Sequence, residues 1–252
     1  MAPPRPISSR EAVENRLPEL LLGPNRTQSS AMHDVTYVGP LHRWPNFEAA
    51  VLASMPARWS PAVIDYSLQS RDIRREEVYV ADETGLQGRF EQAVGQVLGA
   101  VFRAEAVNIR FADFKAAGTG YRKTPDVSLV SNSAPIALKA VGELKVPWVD
   151  DHNLIERYSK ESDWRSTIGQ VVEYIIDQKV PYGFHSTYDH TVFLRQVQVH
   201  GAWRVECSPI VIVNNRNTGV SVKQCFWYLA SLAAAGQPVQ TPTPKRQLIV
   251  RG

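Results

Sequence analysis

Residues Thr124–Pro147 read TPDVSLVSNSAPIALKAVGELKVP. Two strand-forming runs, Asp126–Val130 and Ile136–Val146, flank Ser131-Asn132-Ser133-Ala134-Pro135, a polar turn closed by proline. Side chains alternate along a strand, so Glu143 and Lys145 share one face while Leu144 points into the core. If the two runs pair as neighbours, Asp126 comes close to Glu143. Two carboxylates that close repel strongly unless a cation lies between them. Oxygen-only ligation suits a hard ion such as Mg2+ or Mn2+. Such an ion beside a lysine is suited to phosphodiester hydrolysis.

An acid two positions before a lysine occurs three times, at Asp113-Phe114-Lys115, Glu143-Leu144-Lys145 and Asp177-Gln178-Lys179. Only the middle triplet follows a Pro-Asp pair, 17 positions upstream and within a hairpin's reach. Solvated charges at a strand edge account for the other two. Before the hairpin, Leu86–Phe102 has helical period, with Leu86, Phe90, Val94, Val97, Leu98 and Val101 as its apolar stripe. Glu91 sits at the edge of that stripe, where it could reach a site beside the sheet. After the hairpin, Trp164–Asp177 is a second helical pattern, with Ile168, Val171, Val172, Ile175 and Ile176 inward. Gln170 and Tyr174, four apart, project together from another face.

These elements in this order resemble the PD-(D/E)XK nuclease superfamily, over roughly residues 82–199. The Gln-x-x-x-Tyr element is similar to that of its RecB-like branch, and Trp164–Arg195 is similar in wording to nuclease-like domains of filamentous fungi. The resemblance implies an α/β fold with a restriction-endonuclease-like αβββαβ core, its mixed sheet flanked by helices. It also implies a nuclease acting on nucleic acid, DNA ahead of RNA, with Mg2+ or Mn2+ as cofactor. Asp126, Glu143 and the Leu144 carbonyl would hold the metal, and Glu91 would complete the shell directly or through water. Lys145 would position the attacking water, its pKa depressed beside the cation. Gln170 would orient Lys145, and Tyr174 the nucleic-acid backbone. Members of such a fold also serve as binding modules, and toxins or host-targeted effectors use the same chemistry, so both alternatives stay open. The sequence does not choose between ends and interior of a strand. Paired subunits often cut two strands in this superfamily, which makes a homodimer the expectation.

The 252 residues, 44% hydrophobic and 21% charged, are enough for a sizeable core. The organisation expected is an N-terminal helical and loop extension over 1–80, a nuclease-like domain over 81–236, and a flexible basic tail over 237–252. A net charge of +3 permits a polyanionic partner without demanding one. Cys207 and Cys225 have no metal-like spacing and read as reduced, buried thiols. No apolar run approaches the ~20 residues needed to span a bilayer. The first residues lack a signal-peptide h-region, so an intracellular compartment, cytoplasmic or nuclear, is expected.

Elsewhere, the proline-rich residues 1–8 read as loose, and Ser8 with Glu11 predicts a capped helix over Ser9–Leu22. A strand at Val35–Val38 and a helix at Phe47–Trp59 follow. The charged run Ser70–Glu77 reads as a solvated connector, and Val107–Phe111 as a strand. The glycine-bearing connection Ala112–Lys123 carries Lys115, Arg122 and Lys123 to the edge of the cleft, where they could grip phosphates. His152 reads as an exposed loop residue, and His185 and Arg195 as structural. Strands over Pro181–Tyr188, Thr191–Val197 and Trp203–Val213, a turn at Asn214–Thr218 and a closing helix at Ser221–Ala235 complete the pattern.

Overall fold

The structure, a computed structural model, describes residues 7–28, 34–61, 76–213 and 219–251. The first six residues, most of the Ser70–Glu77 run and the expected turn at Asn214–Thr218 lie outside them.

Ser8 caps α1 (Ser9–Glu14) by accepting the Glu11 N–H at 3.1 Å. The helix does not continue to Leu22 as expected. Asn15 is already extended, and Pro18 cannot sit in a helix interior. Leu21–Leu22 instead forms β1. Next come β2 (Val35–Tyr37), β3 (Leu41–Arg43), α2 (Phe47–Ala53) and β4 (Tyr79–Val80), which lies parallel to β1. Asp82 caps the following helix by accepting the Gly85 N–H at 2.7 Å. The run therefore begins at Glu83 rather than Leu86, as α3 (Glu83–Phe90), a π-helical stretch (Glu91–Gln96) and α4 (Val97–Ala104).

Then follow β5 (Arg110–Ala112), β6 (Val127–Val130), β7 (Leu138–Leu144), α5 (Leu154–Ser159) and α6 (Glu161–Asp177). The remaining elements are β8 (Tyr182–Ser186), β9 (His190–Val199), β10 (Ala202–Cys207), β11 (Val211–Ile212), α7 (Val222–Ala235) and β12 (Ile249–Arg251).

The architecture is mixed α/β. The central sheet runs β3-β10-β9-β8-β7-β6-β5, with β11 also on β9. β7 and β8 are parallel, as are β3 and β10, and the other neighbours are antiparallel. The expected hairpin forms, with Val127 opposite Gly142 and Ser128 opposite Val141. Alternation along β7 divides the core. Ala140 and Leu144 pack on the face covered by α1, α2, α3, α4 and α7, whereas Val141 packs on the face covered by α6 and β2. Gly142 makes room for Phe184, since a Cβ there would meet the ring at 2.0 Å. Phe184 in turn stacks on Phe90 and meets Phe226 edge-on.

Both ends of the chain are woven into this body. β3 pairs with β10, and β2 lies on α6 so closely that a Cβ on Gly169 would sit 2.1 Å from the Val35 carbonyl oxygen. The stretch expected as a flexible tail is docked. β12 pairs with β2, and Leu248 and Ile249 are buried. Apolar burial outweighs the composition that suggested a loose end. Cys207 and Cys225 are buried free thiols. Among the described residues no helix is long and apolar enough to cross a membrane.

Candidate active site

A cavity of about 310 Å³ opens where the start of α3, the β6–β7 hairpin, α6 and β12 meet. Glu83, Asp126, Glu143, Lys145, Gln170 and Tyr174 line it, with Lys123, Glu173 and Arg251 at its rim. Asp126 immediately precedes β6, and its Oδ2 accepts the Leu144 N–H at 2.8 Å. Its own carbonyl accepts from Gln87 Nε2 at 2.5 Å, which ties the strand entry to α3. Glu143 and Lys145, on the same face as expected, form a buried pair with Lys145 Nζ 2.8 Å from Glu143 Oε1. Across the cavity, Gln170 Nε2 donates to Tyr174 Oη at 2.6 Å, which holds the two side chains as a unit.

The sequence reading missed Glu83. Both of its carboxylate oxygens accept from Lys145 Nζ at 3.2 Å. The available signal was Asp82, a helix-capping residue that moves the start of α3 back by three positions. Glu91, assigned to this shell from sequence, does not line the cavity. Eight positions beyond Glu83, it lies about 12 Å further along the helix axis. It faces a separate pocket with Gly95, Gln96, Arg103 and Arg110, where burial, then Asp113, raises its pKa to about 7. Lys115 and Arg122 are exposed and do not line the cavity either; of the three expected phosphate contacts only Lys123 does. Asp113 turns the chain at that point by capping Phe114–Ala117, which buries Phe114 and leaves Lys115 outward.

The cavity floor holds more negative charge than it neutralises. Burial raises Asp126 to about 6, against the opposing effects of the Leu144 N–H and Lys145. Burial, then Asp126, pushes Glu143 to about 8, against the pull of Lys145. Burial pulls the Lys145 ammonium down, but Glu143, Glu83 and Asp126 together hold it above its ordinary value. The depression expected beside a cation is therefore not present with the carboxylates alone. Burial, then Glu143, raises Tyr174 so that its phenol stays protonated.

Among the described residues no three His, Cys, Asp or Glu side chains form a ready-made group for a metal ion. Lys145 occupies Glu143 Oε1 and both oxygens of Glu83. The donor chemistry nevertheless fits a hard divalent cation. Among the described residues Glu143 Oε2 is buried without a hydrogen-bond partner, the orphaned acceptor such an ion satisfies. The recorded contact of Leu144 at the site is its N–H to Asp126.

Behind Lys145 the structure buries two histidines. His152, expected as exposed, is 2% accessible, with Nδ1 2.9 Å from the Val146 carbonyl oxygen. Burial, then Lys145, lowers His185 to about 3, so it is neutral at working pH. Arg195 is structural as expected, paired with Glu206 at 2.6 Å and lying over the Trp44 ring.

No protein-family model matches the chain, and neither a curated protein nor a solved structure matches it.

Proposed function

We propose that the protein is a metal-dependent nuclease, hydrolysing phosphodiester bonds of nucleic acid, DNA ahead of RNA, on a restriction-endonuclease-like core. The observation that carries this reading is the convergence of Asp126, Glu143 and Lys145 on one cavity wall, with Glu143 Oε2 buried and unsatisfied. The order α3/α4, β5, β6, β7, α6, β8 supports the fold assignment. Asp126 and Glu143 would hold Mg2+ or Mn2+, which when bound lowers the pKa of a water and stabilises charge on the phosphate.

Lys145 is anchored by Glu143 and Glu83, so its ammonium is fixed at the floor and can orient the attacking water by hydrogen bonding. The Gln170–Tyr174 pair presents a protonated phenol on the opposite wall, a donor for a phosphate oxygen. The test is incubation with single- and double-stranded DNA and RNA in Mg2+, Mn2+ or EDTA. Cleavage that needs metal and disappears in Glu143→Ala and Lys145→Ala is the expected result.

One observation favours a second reading, a binding module without turnover. Lys145 itself pairs with two of the three carboxylates, an arrangement a non-catalytic site would retain. Metal-independent binding without cleavage in the same assay would establish that reading over the nuclease.

A further inference from the structure

We infer that Lys123 and Arg251 form a phosphate-binding subsite at the cavity rim, specific for a strand that carries a phosphate next to the one attacked; this rests on the nuclease reading. Three cations from distant parts of the chain converge on Glu173, whose side chain is 1% accessible. Lys123 Nζ pairs with Oε2, while Lys245 Nζ, at 2.8 Å, and Arg251 Nη2, at 2.5 Å, share Oε1. Lys245 also reaches Asp177 at 2.8 and 2.6 Å. An ammonium has three donors, so Lys245 is fully committed and acts as a positioning residue.

Lys123 and Arg251 differ from it. Both line the cavity, their side chains are 35% and 56% accessible, and among the described residues each makes one ion pair. A guanidinium has five N–H donors, so most of Arg251's hydrogen-bonding capacity faces outward. Counting formal charges, Lys123, Lys245 and Arg251 against Glu173 and Asp177 leave +1 at the rim. Glu83, Asp126 and Glu143, when all are ionised, against Lys145 leave −2 at the floor. The acidic floor would take a phosphate through a bound cation, whereas the cationic rim attracts one directly. The two regions therefore take different phosphates of one strand.

The experiment measures cleavage of a labelled single-stranded DNA oligonucleotide in Mn2+, together with the salt dependence of its binding in EDTA. Lys123→Ala and Arg251→Ala should each raise KM about tenfold with kcat within twofold, the loss of one charge-assisted contact. Each should also reduce the slope of log affinity against log salt by about 0.7. Arg251→Lys, which keeps the charge, should recover most of the affinity. Unchanged KM and slope in folded variants overturn the subsite while leaving the nuclease reading intact. If the wild type binds but does not cleave, the slopes still decide the subsite and the nuclease reading alone fails. If it neither binds nor cleaves, both fall. Should Arg251→Ala lose the fold by thermal unfolding, Lys123→Ala, on the other oxygen of Glu173, gives the answer.

Discussion

Lys145 donates to both carboxylate oxygens of Glu83 across 62 positions of chain, joining the end of β7 to the first turn of α3. The contact puts Glu83, rather than Glu91, in the cavity, as an anchor of the lysine. Glu83→Gln removes one of the two carboxylates that fix the ammonium, and cleavage should fall about 10- to 100-fold, the usual effect of losing a supporting group at a metal site. Glu91→Gln, which alters a separate pocket, should leave the rate unchanged. Single-turnover rates of the two variants compare them directly, and equal losses would remove Glu83 from its assigned role.

The raised pKa values of Asp126 and Glu143 fix a sign. Ordinary values near 3.8 and 4.5 rise to about 6 and about 8, so the folded state binds more protons than the unfolded one across that window. Without metal, stability should fall as pH rises through it. Metal uptake displaces those protons, so affinity for Mg2+ should increase more than tenfold between pH 6 and pH 8. Calorimetry in two buffers of different ionisation enthalpy would reveal the released protons; a pH-independent affinity contradicts the assignment.

Gly169 admits β2 to the surface of α6, and all three nearest atoms to a Cβ there are main-chain atoms of Val35 and Thr36. Gly169→Ala should destabilise the fold by about 1–3 kcal/mol, because a strand must move rather than a side chain. β2 carries β12 and hence Arg251, so the same variant should weaken nucleic-acid binding. Gly99, in the interior of α4 with nothing within 4 Å of a built Cβ, is the control: Gly99→Ala should stabilise by about 0.5–1 kcal/mol. Urea unfolding of both variants tests the contrast.

Lys223 is wholly buried on α7, and its Nζ has no hydrogen-bond partner among the described residues. Burial lowers it to about 7, so between pH 7 and its ordinary value near 10.5 the unfolded chain holds the extra proton. Stability from this residue should therefore rise with pH above 7. Lys223→Met should stabilise the protein at pH 6 and flatten that rise, as read from denaturation midpoints across pH. A steeper rise in the variant would contradict the account.

The parts of the site that local pattern controls were legible in the sequence. Period-two alternation placed Glu143 and Lys145 together with Leu144 opposed, and the i,i+4 relation joined Gln170 to Tyr174. Glu83 was missed because the helix was read from Leu86, although Asp82 carried the cap. Glu173, Lys245 and Arg251 were not legible. A charged residue between Gln170 and Tyr174 looks solvated until distant cations cover it. β12 is three residues long, and its partner β2 lies near the other end of the chain. Such pairing leaves no local signature, only composition, and proline with basic residues suggested a loose end.

Arg251 belongs to β12, so it leaves the ribosome after every other group named around the cavity. A nascent chain already holds Glu83, Asp126, Glu143 and Lys145 while its cationic rim is still incomplete. Domains form as units, with earlier residues available first, and here the proposed cationic rim is complete only once synthesis has passed β12. On the proposed function, the order of translation would delay the hold on nucleic acid until the scaffold that aims it is in place.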